Sequence, residues 1–296
     1  MRNKLTTLAA TGVLSLCTST SLLAGSVTQP GETVGLAAGA PLPPGFYFVN
    51  TADWGCRDTN PQVCVGVTIP VGAWSTPWTF LGARIQLLVA TPAVEVGVND
   101  TTHFASFYNP LVAGQLAWDL GGGFGFSYLL GAYFDVNGDA AWSSTSINQR
   151  FALSYTANNW NLTANLIWGI HLDSVTDRPQ LSPCPAPFNL SGCNPDFVNL
   201  DLTAGRKFGQ WQLAAVGFGS WDVSTPIESY AKQSQFALGG LVGYDFGKVI
   251  LQTYATTDIT ETNYGGKDTR VWGRVIVLLG DPFAQPAPAA RPIVRK

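Results

Sequence analysis

Apolar and polar side chains alternate along several segments of the chain. In residues 160–173, tryptophan, leucine and alanine occupy most even positions, whereas polar residues such as Asn161, Thr163 and Asn165 occupy odd ones. Residues 124–135 repeat the pattern, with aromatic and aliphatic side chains at the even positions. A period of two is typical of a β-strand whose two faces meet different surroundings. Each segment is therefore predicted to be a strand.

Weaker forms of this pattern mark the other strand candidates. These candidates span residues 45–53, 63–71, 79–90, 104–118, 144–157, 197–208, 211–223, 234–246, 248–260 and 269–279. Together the segments predict about twelve strands, with ten or fourteen as the alternatives.

The connections between the candidate strands alternate in length. The short ones are 157–159, 208–210 and 246–248, and the long polar ones between them are 136–143, 174–196, 224–233 and 261–268. Short turns at one end and long loops at the other are typical of bacterial outer-membrane barrels. The prediction is an all-β, transmembrane, antiparallel up-and-down β-barrel, and a soluble β-sandwich is the alternative.

Composition favours the same fold. Of 296 residues, 46% are hydrophobic and only 12% are charged, against about 25% charged in ordinary soluble domains. The aromatic content excludes a disordered chain, and a net charge of −3 without a basic stripe argues against nucleic-acid binding. Beyond the N-terminus no apolar stretch approaches the roughly 18–20 residues of a spanning helix. A closed barrel is the remaining way to place so apolar a chain in a membrane.

The sequences at the two ends of the chain predict a signal for export and segments outside the barrel. Arg2 and Lys4 precede a short apolar stretch and the small residues Ala24, Gly25 and Ser26, which is typical of a secretory signal peptide. We therefore expect the signal peptide in residues 1–26, an N-terminal periplasmic segment in 27–44, the barrel in 45–280 and a Pro/Ala-rich tail in 281–296. The expected location is the bacterial outer membrane.

Four cysteines remain after the signal peptide. Cys56 and Cys64 form one close pair and Cys184 and Cys193 form another, both in segments rich in Pro, Asn or Asp. Four cysteines allow three connectivities, and the spacing favours Cys56–Cys64 and Cys184–Cys193. Export makes disulfides plausible, and no histidine close to either pair supports a metal site.

Residues on the polar register are expected to line the lumen, because Arg or Lys facing lipid at mid-membrane costs about 2–4 kcal/mol. The charged and polar members of this set are Arg84, Asp119, Arg150, His171, Asp201, Arg270 and Arg274; the aromatic members are Tyr133, Phe218, Tyr254 and Trp272. The aromatic members form either a hydrophobic path or the packing of a narrow lumen, and the sequence favours neither.

Outward positions carry the other aromatic residues. Trp160, Trp211, Trp221 and Tyr244 are expected to form girdles at the membrane interfaces. Arg206 is an exception, because it lies on the outward register near a tight turn, where a long side chain can reach the interface.

Two stretches carry a family resemblance. Residues 41–50 (PLPPGFYFVN), and residues 137–139 (NGD) followed by 143–150 (SSTSINQR), resemble a family of proteobacterial exported proteins labelled as phenol meta-cleavage-pathway proteins and outer-membrane transporters. The resemblance implies a Gram-negative outer-membrane channel for aromatic or other hydrophobic compounds. The tail departs from many outer-membrane barrels, which end on an aromatic residue, because this chain ends in Arg295 and Lys296.

Candidate chemistry is confined to one histidine. A lipid hydrolase in a barrel needs a serine within hydrogen-bond reach of a histidine, and Ser143, Ser144 and Ser146 could approach His171 across a hairpin. Such serines are also ordinary in hairpin loops, so we predict no enzymatic activity, no metal and no cofactor.

The functional prediction is a channel for passive uptake of small hydrophobic or aromatic molecules. Its expected partners are membrane lipids and a small-molecule solute. The alternatives are a non-transporting barrel whose outer loops bind a ligand and, third, an outer-membrane lipid hydrolase.

Overall fold

The computed structural model describes residues 26–99, 102–136, 144–172, 195–226 and 230–281. The signal peptide up to Gly25, the tail after Asp281, and both Cys184 and Cys193 lie outside the described residues. The strands are β1 (Gly45–Arg57), β2 (Val63–Phe80), β3 (Ala83–Ala90), β4 (Ala93–Val98), β5 (Thr102–Phe107), β6 (Leu111–Gly121), β7 (Phe124–Tyr133), β8 (Ser146–Tyr155), β9 (Trp160–His171), β10 (Phe197–Phe208), β11 (Trp211–Asp222), β12 (Ser234–Asp245), β13 (Val249–Thr262) and β14 (Asp268–Gly280).

The strands form one antiparallel sheet that closes on itself. Consecutive strands pair from β6 to β14, and β14 pairs with β1, which pairs in turn with β2. β3 and β4 pair with successive parts of β2, and β5 and β6 pair with β4 and β3. β3 with β4, and β5 with β6, are therefore each one barrel strand with a short interruption. The prediction of a twelve-stranded antiparallel barrel is confirmed.

Prolines cause both interruptions, because a proline has no N–H to donate to the ladder. Pro92 separates β3 from β4, and Pro110 precedes β6. The neighbouring strands stay joined: the Thr91 N–H donates to the Pro70 carbonyl at 3.2 Å, and the Tyr108 N–H donates to the Pro92 carbonyl at 2.8 Å.

The predicted strand at 79–90 was wrong in its boundaries. β2 continues to Phe80, the chain turns at Leu81 and Gly82, and the next strand begins at Ala83. β2 contains Pro70 and Pro77. Pro77 is tolerated because the β2–β3 register shifts between Ser75 and Thr79, where the ladder is irregular.

The outer surface is apolar and carries aromatic side chains at both ends. Trp78, Trp211 and Phe246 are more than half exposed near the tight turns, and Trp54 and Trp168 are 40% and 41% exposed nearer the other end. Such bands are typical of the two interfaces of a membrane. Within the described residues, no helix is long and apolar enough to cross a membrane.

One predicted disulfide is present. Cys56 and Cys64 are bonded and lie directly opposite each other on β1 and β2, at the end of the barrel that carries the long loops. This confirms the first of the two predicted pairs and ties the ends of these strands together.

The N-terminal segment lies inside the barrel. Residues 27–44 were predicted to be periplasmic, but residues 26–42 contact inward-facing side chains on strands from β2 round to β14. One short segment can reach all of these strands only from the lumen. The prediction failed because the segment is rich in glycine, alanine and proline and reads as a linker.

Candidate functional site

Residues 26–42, here called the lumenal segment, fold as a series of tight turns. The main-chain N–H groups of Glu32, Val34, Leu36 and Ala40 each donate to the carbonyl three residues earlier, at 3.0–3.3 Å. These turns leave many of the segment's other N–H and C=O groups facing the barrel wall. Inside a barrel those groups need partners, since an unpaired buried polar group is costly.

Asp201 of β10 binds the middle of the lumenal segment. Its carboxylate accepts the Gly31 N–H at 2.9 Å, the Thr33 N–H at 2.9 Å and the Thr33 hydroxyl at 2.6 Å. Thr203, two residues further along the same face, accepts the Gly35 N–H at 2.7 Å. Two side chains of β10 therefore accept hydrogen bonds from main-chain N–H groups in consecutive turns of the segment.

Arg274 of β14, four strands round the barrel from β10, binds the same turns. Its guanidinium donates to the main-chain carbonyls of Glu32 and Val34, both at 2.5 Å, and to the Gln252 side chain at 2.9 Å. It also donates to Thr51 of β1 at 2.8 Å. Arg274 thus joins the lumenal segment to three neighbouring strands.

The segment carries a charge that the wall neutralises. The Glu32 carboxylate pairs with Arg150 of β8 at 2.7 Å, and both side chains are about nine-tenths buried. Arg150 also donates to the Tyr133 hydroxyl at 3.2 Å. Near the start of the segment, Asn148 donates to the Thr28 hydroxyl at 3.0 Å. Removing either charge would leave its partner buried and unpaired.

The lumenal aromatic residues pack against the segment. Tyr254 stacks on Trp272 with ring centroids 5.0 Å apart, and Phe218 meets Trp272 edge-on at 6.1 Å. These three side chains and Val34 belong to one buried apolar cluster, and the Tyr254 hydroxyl donates to the Gly31 carbonyl at 3.1 Å. Of the two interpretations that the sequence left open, this arrangement favours packing over an open path.

Glycines allow the segment to come this close to the wall. Gly31 has a φ of +90°, and a Cβ there would lie 2.6 Å from the Phe218 ring. A Cβ at Gly39 would lie 2.7–2.8 Å from main-chain atoms of β7 and β8. Only glycine fits at either position.

Little space remains beside the segment. One cavity of about 30 Å³ lies between residues 26–32 and a wall that includes Ile69, Val94 and Tyr108. A volume of this size holds about one water molecule. At this level of the barrel, the space between the segment and the wall is too small for a solute larger than water.

A second set of buried charges lies nearer the long loops. Arg270 pairs with Asp53 and, at 2.7 Å, with Asp268. Arg57 pairs with Asp258 at 3.4 Å and lies over the Tyr264 ring at 4.0 Å. Arg270 faces inward, and its charge is matched within the wall.

Described side chains at the end of the barrel that carries the long loops also pack against one another. The Tyr230 hydroxyl donates to Asp222 at 2.6 Å, and the same carboxylate oxygen accepts the Gln233 N–H at 2.8 Å. Burial raises the pKa of the Tyr230 phenol, and the Asp222 carboxylate raises it further. Burial also raises the pKa of Tyr264. Both phenols are therefore neutral at neutral pH, and that of Tyr230 acts as a hydrogen-bond donor.

Two predicted lumenal residues lie at the tight-turn end. Arg84 donates to the Thr76 carbonyl at 3.0 Å, and Asp119 is exposed and accepts the Gly121 N–H at 2.9 Å. Both stabilise their own hairpins rather than contacting the lumenal segment. Arg206 is exposed on the outside and lies over the rings of Trp160 and Phe208.

The structure brings His171 together with one of the candidate serines. Ser146 Oγ lies 2.8 Å from His171 Nδ1, and the two residues are directly opposite on β8 and β9. Ser146 is completely buried. Ser143 lies outside the described residues, and Ser144 donates to the Thr145 carbonyl.

The described residues contain no group of histidine, cysteine, aspartate or glutamate side chains arranged to hold a metal ion. The lumen instead offers arginines, aromatic rings and amides, which suit hydrogen bonding and stacking.

A family model matches residues 33–275, most of the chain and nearly all of the barrel. Its description is "Putative MetA-pathway of phenol degradation". The chain belongs to this family. The family suggested by the two sequence stretches is thereby confirmed.

Solved structures of outer-membrane barrels resemble this phenol-degradation family member in fold. The COG4313 outer membrane channel from Pseudomonas putida F1 is 12% identical, with a TM-score of 0.65 over 85% of this chain and 99% of that one. The β-domain of the Bordetella autotransporter BrkA is also 12% identical, with a TM-score of 0.51 over 80% of this chain and 100% of that one. No curated protein matches the sequence.

Sequence reasoning missed the lumenal segment of this family member. Two features of the sequence could have indicated this segment. Gly31, Gly35 and Gly39 are spaced four residues apart, and a single acidic residue, Glu32, lies among them. Four wall residues that bind it are ones that the sequence placed on the inward register: Arg150, Asp201, Tyr254 and Arg274.

Proposed function

We propose that the protein is an outer-membrane channel that allows passive uptake of small hydrophobic or aromatic molecules. The observation that carries the proposal is that a separate chain segment, rather than the wall's own side chains, fills the lumen. Besides the apolar packing of Val34, the segment is bound by hydrogen bonds and one ion pair, which water can replace. Displacement of residues 26–42 would therefore open a polar passage through an otherwise intact barrel.

The chemistry of the wall supports an aromatic solute. Displacement of the segment would uncover Arg150, Arg274, Phe218, Tyr254 and Trp272 on facing strands. Aromatic faces stack with an aromatic solute, and arginines bind both its face and an attached anionic group. The family description, which names phenol degradation, is consistent with this solute class.

A flux assay with matched anions tests the proposal. Benzenesulfonate and butanesulfonate are both permanently charged, so neither crosses a bilayer readily. We expect proteoliposomes to take up benzenesulfonate about fivefold faster than butanesulfonate, because one cation–π contact is worth roughly 1 kcal/mol. Trp272→Leu is expected to reduce this preference, and Trp211→Leu, on the outer surface, is the matched control. Uptake of both anions at the rate of protein-free liposomes would contradict the proposal.

The filled lumen also supports a second candidate, a barrel that transports nothing and binds a ligand through its outer loops. The flux assay with benzenesulfonate and butanesulfonate distinguishes the two candidates. A non-transporting barrel would admit neither anion, whereas a channel would admit benzenesulfonate.

The Ser146–His171 hydrogen bond is the observation that favours a hydrolase. Because Ser146 is fully buried, we expect the hydroxyl to be structural. Ser146→Ala should leave the rate of p-nitrophenyl ester hydrolysis equal to that of the unaltered protein and of a heat-denatured sample. It should lower the free energy of unfolding by about 1 kcal/mol, the contribution of one hydrogen bond. Ester turnover that disappears in Ser146→Ala would favour the hydrolase instead.

A further inference from the structure

A depression lies on the outer surface between β8 and β12. Ala204, Ala215 and Gly240 lie directly opposite one another on three neighbouring strands, and all three are exposed. The depression is lined by Ala164, Ala204, Ala215 and Gly217, among others, and has a volume of about 680 Å³. This is within the usual range of ligand pockets, about 300–1,000 Å³. Gly240 lies beside the depression, opposite Ala215, and a Cβ added at Gly240 would meet no atom within 4 Å.

Larger apolar side chains border this outer depression. They are Phe124, Leu153, Tyr155, Leu162, Leu202 and Leu238. The lining is almost wholly apolar, and Leu162 and Leu238 are 41% and 46% exposed. In a barrel that spans a membrane, this surface faces hydrocarbon, so an apolar chain is the occupant that its chemistry admits.

Arg206 lies at one end of the outer depression. It is the next outward-facing residue of β10 after Ala204. It therefore lies closer to the tight turn that joins β10 to β11. Its guanidinium lies 5.3 Å from the Trp160 ring centroid and 5.7 Å from that of Phe208. In the parts of the chain that the structure describes, no acidic side chain forms an ion pair with Arg206. An exposed cation among interfacial aromatic residues attracts an anionic headgroup.

The cation and the apolar depression are arranged like the headgroup and the acyl chain of a membrane lipid. The cation lies at the interface marked by aromatic side chains, and the apolar depression lies next to it toward the middle of the membrane. A second copy of the chain fits this surface less well, because a symmetric contact centred here would bring two Arg206 side chains together.

We propose that the outer depression and Arg206 bind one anionic glycerophospholipid of the periplasmic leaflet. An acyl chain lies against Ala204, Ala215 and Gly240, and the phosphate pairs with the guanidinium. The proposal rests on the membrane placement in the proposed function, but not on transport through the lumen.

Native mass spectrometry of the full protein in detergent tests this site, with palmitoyl-oleoyl phosphatidylglycerol as the probe. Arg206→Gln removes the cation, and Ala215→Leu fills the depression. We expect each to weaken binding of one phosphatidylglycerol molecule about fivefold, the effect of one cation near an anionic headgroup. Heat-modifiable migration on gels identifies variants that have folded.

Two controls separate the site from general effects. Lys248→Gln removes an exposed cation from a tight turn at the same end, and Gly114→Leu adds a side chain to an exposed outward position on β6. Both should bind lipid like the unaltered protein. Unchanged binding in Arg206→Gln or in Ala215→Leu would overturn the proposal, as would a dimer that Ala215→Leu dissociates. Benzenesulfonate uptake should be the same in all four variants, so failure of the lipid site and failure of the channel give different results.

Discussion

Deletion of residues 27–42 should convert the closed barrel into an open pore, with a single-channel conductance at least about tenfold that of the full-length protein. A twelve-stranded barrel is wider than the roughly eight-stranded size that side chains alone can fill. In this protein the lumenal segment lies in that space, and a cavity of about 30 Å³ lies between residues 26–32 and the wall. The barrel itself should survive, because β1 and β14 close it without the segment.

The wall should tolerate the deletion because water can replace the segment as a partner. Asp201, Thr203 and Arg274 all bind main-chain groups of the segment, and each is a side chain that water solvates well. A variant in which residues 27–42 are replaced by a Gly/Ser chain of equal length is the matched control. It retains the length but loses Glu32 and Val34, and it should also conduct. Planar-bilayer recordings measure all three proteins, and a deletion variant with unaltered conductance would contradict the account.

Arg274→Met should release the lumenal segment without removing it. The substitution deletes the donors to the carbonyls of Glu32 and Val34, and each buried acceptor left unpaired costs about 1–3 kcal/mol. The segment can avoid this cost by leaving the lumen, so the expected result is a channel that opens in bursts. Its open conductance should match that of the deletion variant, and its open fraction should exceed that of the unaltered protein at least about tenfold.

A protease assay checks the same variant by an independent readout. The lumenal segment of Arg274→Met should be cleaved in folded protein under conditions that leave the unaltered protein intact, because cleavage requires an exposed, extended backbone. Lys248→Met, which changes an exposed cation in a tight turn, is the matched control. A variant that is as resistant and as closed as the unaltered protein would show that Arg274 does not hold the segment in place.

The strands could be predicted where alternation is uninterrupted. β9 and β10 begin at Trp160 and Phe197, as the pattern indicated, and the short turns around Asn158, Gly209 and Gly247 lie where predicted. The N-terminal third was harder: the alternation left a gap at 72–78, where β2 in fact continues, and predicted one strand over 104–118, which is interrupted between β5 and β6. Pro70, Pro77, Pro92 and Pro110 lie within barrel strands or at brief interruptions, a tolerance that depends on neighbouring strands rather than on local preference.

The candidate site was predictable in part, for a different reason. Register alone placed Arg150, Asp201 and Arg274 on the inner face, because charge on the lipid face is costly. Their partners were not predictable, since they lie more than a hundred residues away in sequence, in a segment without alternation. The inward charges of Arg150 and Arg274 therefore looked like a pore lining and are in fact the binding surface for residues 26–42.

A reversible lock between the lumenal segment and the wall tests the central claim most directly. Asn165 of β9 donates to the Thr33 hydroxyl at 3.0 Å, so Thr33→Cys with Asn165→Cys replaces two contacting side chains with thiols, and non-reducing mass spectrometry establishes whether they cross-link on oxidation. Benzenesulfonate uptake into proteoliposomes is then measured under oxidising and reducing conditions, with the unaltered protein treated in the same way. The account predicts that oxidation lowers uptake by the double variant to the rate of protein-free liposomes and that reduction restores it. Equal uptake in the locked and reduced states would contradict the claim that residues 26–42 control passage through the barrel.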